Sequence, residues 1–115
     1  MSGRFDINID ARGVARLMVV HDAKLNTLNP ALLDVAIAAL RDLAQQPGLR
    51  AAVLTGEGER AFIGGADIGA MAALETPAEA EAFIRRVHGI CAAIRDLPVP
   101  VIARLNGWCL GAGLE

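Results

Sequence analysis

Two glycine-rich stretches, residues 61–68 (AFIGGADI) and residues 107–113 (GWCLGAG), contain the residues best suited to chemistry. Each lies after an apolar run typical of a buried strand, and glycine lets a backbone approach a neighbouring group closely. The second stretch should also open a helix, where the first N–H groups have no partner within the helix. Two such turns could direct N–H donors at one oxygen atom, as an oxyanion hole does. The alternative is that each cluster is only a tight turn.

The glycines at positions 107, 111 and 113 also have the spacing of a nucleotide-binding turn. A Gly-x-x-x-Gly-x-Gly pattern between a strand and a helix is similar to the cofactor turn of short-chain dehydrogenases. In those enzymes the turn follows the first strand, whereas here it follows several predicted strands and two predicted helices. A dehydrogenase would also leave the first glycine-rich stretch without a role. The position of the turn therefore favours the oxyanion hole.

The strands that must position these turns can be predicted from apolar patterns. Residues 5–10 alternate between apolar and polar types, and residues 14–20 are mostly apolar and β-branched, which together indicates a hairpin. The apolar runs at 51–55 and 101–105 predict two buried strands, and we expect the first to be covered on both faces. Strands alternating with helices indicate the α/β class.

Two helices have clear start signals. Asn29 followed by Pro30 can open a helix that should stop at residues 47–48, a Pro-Gly pair. Thr76 and Glu79 have the spacing of a capping box, in which each side chain bonds the backbone N–H of the other. The apolar stripe of this second helix consists of Phe83, Val87, Ile90, Ile94 and Leu97.

The composition limits the classes of function. The 115 residues are 54% hydrophobic with a mean hydropathy of +0.41, which argues for a packed core rather than disorder. A net charge of -2, with cations scattered along the chain, does not suggest a nucleic-acid partner. The apolar runs are too short for a membrane span, and the N-terminus has no apolar run of a signal peptide. We therefore expect a cytoplasmic protein.

The cysteines and histidines do not form a catalytic or metal-binding pattern. Cys91 and Cys109 lack the C-x-x-C spacing of a metal site, so we expect no metal and two buried, reduced thiols. His21 and His88 have no Cys, Asp or Ser at catalytic spacing, and we expect both to be structural or at the surface.

Three segments resemble, in the right order, motifs of the enoyl-CoA hydratase/isomerase (crotonase) superfamily. They are residues 23–29 (AKLNTLN), 60–68 (RAFIGGADI) and 106–115 (NGWCLGAGLE), so the resemblance covers nearly the whole chain. It implies an α/β fold, a crotonase-like spiral of repeated β-β-α units. It also implies that residues 1–115 are the N-terminal part of such a domain, truncated after the second oxyanion motif.

The resemblance assigns catalytic roles to individual residues. The backbone N–H groups of Ala66 and Ala112 would point at the thioester oxygen of an acyl-CoA. The family usually has glycine where this chain has Ala112, but a backbone N–H serves equally well if the alanine has an ordinary φ. Glu115 matches the first of two catalytic glutamates, which orients and activates the water that adds to the double bond.

Other residues would meet the CoA moiety. Lys24 and Arg60 could neutralise phosphates, although exposed cations are often only solvated surface. Asp22 stands where the family commonly has proline, and we expect it to face solvent. The resemblance places Ala23, Lys24 and Leu25 at the adenine end of CoA, and Asp67, Ile68 and Gly69 along the acyl pocket.

The function implied is hydration of a trans-2-enoyl-CoA, or a closely related isomerisation, in fatty acid metabolism. No cofactor is expected, because coenzyme A is part of the substrate. The alternative is an acyl-CoA-binding fragment without catalysis, because the second glutamate would lie beyond Glu115. Family members imply a homotrimer or hexamer for the full-length protein.

Overall fold

The chain opens with a strand-strand-helix unit. A computed structural model describes residues 2–115. Strands β1 (Arg4–Ile9) and β2 (Val14–Val20) form the predicted antiparallel hairpin. A short 3-10 helix at Asp22–Lys24 then leads into helix α1 (Pro30–Leu43). The hairpin was predictable because its alternating residues place the apolar side chains of both strands on one face.

The same order repeats along the chain. The second unit has two strands and two helices, and the third begins with two strands and a 3-10 helix. This repetition is the β-β-α pattern that the crotonase resemblance implies. The remaining elements are β3 (Ala51–Gly56), β4 (Ala61–Ile63), α2 (Ile68–Ala72), α3 (Pro77–Arg95), β5 (Val101–Ala103), β6 (Trp108–Cys109) and the 3-10 helix Gly111–Gly113.

Both predicted helix starts are confirmed. The Asn29 side chain accepts a hydrogen bond from the Leu32 N–H at 2.8 Å at the start of α1. At the start of α3, Thr76 Oγ1 accepts from the Glu79 N–H at 3.1 Å, and Glu79 Oε1 accepts from the Thr76 N–H at 3.2 Å. These side chains satisfy N–H groups that a helix leaves unpaired at its first turn. Each helix ends a few residues before the proline that follows it.

The strands form two sheets, and this division positions the glycine-rich turns. The larger sheet has the order β1-β2-β3-β5, with β2, β3 and β5 parallel. The smaller sheet contains only β4 and β6, also parallel. In the second and third units the second strand therefore leaves the larger sheet, whereas both strands of the first unit belong to it. Because β4 and β6 are parallel neighbours, the turns that follow them emerge at the same edge.

The core lies between the larger sheet and helices α1 and α3. Ala52 and Leu54 of β3 face it, whereas Val53, on the opposite side of the strand, is only half-buried. The prediction that residues 51–55 are covered on both faces holds in part, because Thr55, on the same side as Val53, is 2% exposed while Val53 is half-buried. The prediction of a buried strand at 101–105 is wrong. β5 is an edge strand, and Ile102 is 55% exposed.

Within residues 2–115, the structure has neither a helix long and apolar enough to cross a membrane nor a metal-binding cluster of His, Cys, Asp or Glu. Cys91 and Cys109 are free thiols, but both are half-buried rather than fully buried as predicted. Cys91 follows the buried Ile90 on α3 and so lies at the margin of its apolar stripe, and Cys109 belongs to a strand of only two residues.

Candidate functional site

The first glycine-rich turn is held in place by the segment that precedes α1. The Leu28 N–H donates to the Gly65 carbonyl at 2.9 Å, and the Asp67 N–H donates to the Leu28 carbonyl at 2.9 Å. These two bonds form a parallel bridge between Leu28 and Ala66. In such a bridge the central residue directs its own N–H away from its partner. The Ala66 N–H therefore points away from Leu28.

The second turn packs directly on β4. The Leu110 N–H donates to the Ile63 carbonyl at 3.3 Å, and the Trp108 N–H donates to the Arg60 carbonyl at 3.0 Å. A Cβ on Gly113 would overlap the Ile63 carbonyl oxygen. Glycine is required at this position because the two backbones approach so closely.

The two turns meet at their glycines. A Cβ on Gly111 would lie 3.6 Å from the Gly65 Cα. Gly65 has a φ of 126° and Gly111 a φ of 53°, both in the region that favours glycine. The alanine after each glycine keeps an unused donor: within residues 2–115, neither the Ala66 N–H nor the Ala112 N–H donates a hydrogen bond. Ala112 has no positive φ, so alanine fits this position without backbone strain.

The segment expected to meet CoA lies beside the first turn. Ala23, Lys24 and Leu25 are all exposed, and the Leu25 carbonyl accepts a hydrogen bond from the Gly64 N–H at 3.0 Å. Leu25 has a φ of 56°, which is uncommon for a residue other than glycine. The hydrogen bond shows that this segment and the first glycine-rich turn are neighbours, as their predicted roles require.

Asp22 and Arg60 are partners rather than independent surface charges. The Arg60 guanidinium lies 3.3 Å from the Asp22 carboxylate and also donates to the Asp22 backbone carbonyl. The Asp22 side chain is 38% exposed, so it is directed at Arg60 and only partly at solvent. Lys24, in contrast, makes no ion pair within residues 2–115.

The residues predicted along the acyl pocket surround the start of α2. The Asp67 carboxylate accepts a hydrogen bond from the Gly69 N–H at 3.1 Å and so caps this short helix. Ile68 is 76% exposed. Asp67 also lines an open cavity of about 520 Å³ together with Lys24 and His21.

Glu115 lies just after the second glycine-rich turn in the sequence. Its backbone N–H donates to the Gly111 carbonyl at 3.3 Å, and the residue is exposed. Glu115 and Ala112 both line a largely apolar cavity of about 300 Å³ between the larger sheet and α3. We name this space the sheet-helix cavity. The structure thus places the residue of the candidate carboxylate and the residue of one candidate N–H donor at the same cavity.

Two asparagines at this site have connections that the sequence did not reveal. Asn26 is fully buried, and Asn106 is half-buried beside the second turn. Each side chain joins backbone groups from separate parts of the chain. Both lie in segments that resemble the family motifs, but asparagine is common in turns, and nothing local indicates that Asn26 is buried.

A comparison with protein families identifies the fold that positions these turns. A family model described as Enoyl-CoA hydratase/isomerase matches residues 10–115. The chain belongs to this family. Membership excludes the short-chain dehydrogenase alternative and accounts for both glycine-rich stretches together.

Proteins from several bacteria are similar to this chain. The fatty acid oxidation complex subunit alpha of Vibrio vulnificus (strain CMCP6) is 36% identical over 112 residues, which are 96% of this chain and 16% of that protein. The crystal structure of enoyl-CoA hydratase from Bacillus anthracis matches with a TM-score of 0.87 and 28% identity. That of enoyl-CoA hydratase from Mycobacterium smegmatis matches with a TM-score of 0.83 and 34% identity.

The crotonase fold is therefore confirmed. The match covers 95% of this chain and 42% of the Bacillus enzyme, and 88% of this chain and 39% of the Mycobacterium enzyme. The chain thus spans less than half the length of these solved structures.

Proposed function

We propose that the chain binds an acyl-CoA thioester and holds its carbonyl oxygen between the N–H groups of Ala66 and Ala112. The observation that carries this proposal is the close approach of Gly65 and Gly111, in which a Cβ added to Gly111 would lie 3.6 Å from the Gly65 Cα, with an unused backbone donor after each glycine within residues 2–115. Fixed donors of this kind stabilise the negative charge that develops as the thioester becomes enolate-like, and losing one donor costs roughly 100- to 1,000-fold in rate.

The CoA moiety would follow the segment beside the first turn. In this proposal the backbone near the exposed residues Ala23 and Leu25 meets the adenine end. The Lys24 ammonium, which has no ion-pair partner within residues 2–115, neutralises a phosphate. Arg60 is a weaker candidate because its guanidinium is already engaged with Asp22. The acyl chain would pass the start of α2, along Asp67, Ile68 and Gly69.

The reaction proposed is the addition of water to a trans-2-enoyl-CoA, or the related movement of its double bond. Glu115 would orient the water and accept its proton, so that the hydroxyl group joins the β-carbon. A second group must deliver a proton to the α-carbon. We propose no cofactor and no metal, a homotrimer or hexamer for the whole protein, and a cytoplasmic location.

One observation favours a second function for these residues, which is binding without turnover. Among residues 2–115, Glu115 is the only acidic residue that lines the sheet-helix cavity. A single carboxylate can activate water, but proton delivery to the α-carbon needs a further donor. An acyl-CoA-binding role would use the same N–H donors and leave Glu115 without a catalytic task.

A matched pair of ligands tests the binding step. Butyryl-CoA and its thioether analogue S-butyl-CoA differ only in the carbonyl oxygen, and calorimetry gives a dissociation constant for each. We define the thioester preference as the dissociation constant of S-butyl-CoA divided by that of butyryl-CoA. Two donors that meet this oxygen should give a preference of about tenfold or more. Equal affinities would contradict the proposed oxyanion hole.

Turnover separates the two functions. Hydration of crotonyl-CoA removes the conjugated double bond, so its ultraviolet absorbance falls. If Glu115 activates water, Glu115→Gln should slow this loss about 100-fold or more, while the exposed Glu81→Gln on α3 should not change it. A clear thioester preference without turnover would instead support the binding function.

A further inference from the structure

The carbonyl oxygen of Ala61 is a junction for two side chains. It accepts a hydrogen bond from Asn26 Nδ2 at 2.9 Å and another from Asn106 Nδ2 at 3.0 Å. A carbonyl oxygen has two lone pairs, so both bonds can form together. Ala61 is the first residue of β4, the strand that leads into the first glycine-rich turn. The junction thus lies at the base of that turn.

Asn26 connects this junction to the segment expected to meet CoA. Its Oδ1 accepts from the His21 N–H at 2.8 Å, and its Nδ2 also donates to the Glu57 carbonyl at 2.9 Å. The side chain is 0% exposed; its bond to Ala61 is buried, and its bonds to His21 and Glu57 are partly buried. Removing a partner would leave buried backbone groups unsatisfied, which is costly.

Asn106 connects the same junction to the second turn. It directly precedes Gly107, and its Nδ2 also donates to the Gly58 carbonyl at 2.8 Å. Its Oδ1 accepts from the Gly56 N–H at 3.0 Å at the end of β3. The two asparagines therefore join all three segments that resemble the family motifs at a single backbone oxygen.

The ladder between the strands that lead into the two turns is short. β4 has three residues and β6 has two, and their pairing is irregular between Ala61 and Ile63. Strands this short form few ladder bonds, so side-chain bonds at their base carry much of the alignment.

We infer that Asn26 and Asn106 are positioning residues, which align the N–H groups of Ala66 and Ala112 through the shared carbonyl of Ala61. The inference rests on the proposed function and adds residues that do not touch the ligand themselves. A shift of about 1 Å in a donor can greatly weaken its effect, so alignment matters as much as the presence of the donor.

The test replaces the amide donor of Asn106 and measures the thioester preference. Asn106→Asp keeps the oxygen that accepts from Gly56 but places a carboxylate oxygen against the Ala61 carbonyl, which repels it. Should this variant not fold, Asn106→Ser removes the amide without adding charge. The control is Val87→Ala, because Val87 is a buried residue of α3 that does not line either cavity. Circular dichroism verifies folding of each variant.

We expect the Asn106 variant to bind butyryl-CoA about tenfold more weakly and S-butyl-CoA within about twofold of the unmodified chain. Val87→Ala should lower the melting temperature yet keep the thioester preference. An equal loss for both ligands, or no loss, would overturn the positioning role. If the unmodified chain has no thioester preference, the proposed function itself fails and the inference fails with it. If the unmodified chain has a thioester preference and the Asn106 variant keeps it, only the positioning role of Asn106 is overturned, and the proposed function stands.

Discussion

A Cβ added to Gly111 would lie 3.6 Å from the Gly65 Cα, and each glycine adopts a positive φ immediately before an alanine whose N–H is unused within residues 2–115. A Cβ on Gly65 would lie 3.5 Å from the Leu110 carbonyl oxygen, which is an ordinary contact distance. Space alone therefore does not require glycine at position 65. The backbone conformation does, because a φ of 126° is rarely accessible to L-residues with a side chain.

Gly65→Ala should therefore act through backbone torsion. We expect the free energy of unfolding to fall by about 1–3 kcal/mol and the thioester preference to disappear, because relief of the strain rotates the Ala66 N–H. Chemical denaturation and calorimetry measure the two effects. Gly89→Ala is the control, because Gly89 lies inside α3 with an ordinary φ and its Cβ would meet only the tip of the Ile37 side chain. A Gly65→Ala variant with unchanged stability and ligand preference would contradict this account.

Gly113→Ala should act through steric overlap instead. Its φ is ordinary, but the added methyl group would overlap the Ile63 carbonyl and push the second turn away from β4. We expect a loss of about 1–3 kcal/mol in unfolding free energy, as for other overpacked sites. Gly69→Ala is the matched control for stability, since its nearest neighbour, Asp67 Oδ1, would be 3.6 Å away. Equal stability of the two variants would refute the close approach of the second turn to β4.

The fold could largely be predicted because its signals are local. Thr76 and Glu79 are close enough in sequence to specify a capping box without knowledge of the rest of the chain. The exposure of residues 101–103 could not be predicted, since it depends on which strands and helices lie beside β5. The pairing of β4 with β6 was equally hidden, because strands of two or three residues carry no periodicity.

Less of the candidate site than of the fold could be predicted from the sequence. Its glycines could be found because close backbone approach and positive φ select this residue. The Asp22–Arg60 pair and the bonds of Asn26 and Asn106 to Ala61 could not, because they join residues 35 to 45 positions apart. Sequence alone does not indicate which distant backbone carbonyl a polar side chain will meet.

Lys24 and Arg60 should differ in their effect on CoA binding. We expect Lys24→Gln to weaken CoA binding about two- to fivefold at low ionic strength, with a smaller effect at high salt because exposed charges are screened. Arg60→Gln should change the affinity less than about twofold, since its guanidinium is paired with Asp22. Calorimetry with CoA at low and high salt measures both. A larger effect from Arg60→Gln would assign the phosphate contact to Arg60 and leave Lys24 as solvated surface.

The turn between β1 and β2 should make stability depend on acid pH. Asp10 accepts hydrogen bonds from the Arg12 side chain at 2.7 Å and from the Val14 N–H at 3.1 Å, and these bonds hold the pKa of the Asp10 carboxyl below its usual value. A lowered pKa in the folded state means that the carboxylate stabilises the fold above the usual pKa. That contribution is lost as the pH falls from about 4 through the lowered pKa.

The melting temperature of Asp10→Asn should accordingly lie below that of the unmodified chain at neutral pH and approach it as the pH falls below about 4. Arg12→Gln is the matched variant, because it removes the largest cause of the lowered pKa while keeping the carboxylate that accepts from Val14. It should retain a smaller part of the pH dependence. The difference in melting temperature between Asp10→Asn and the unmodified chain could instead stay constant to well below a pH of about 4. That result would mean that Asp10 acts through turn geometry alone, without its charge.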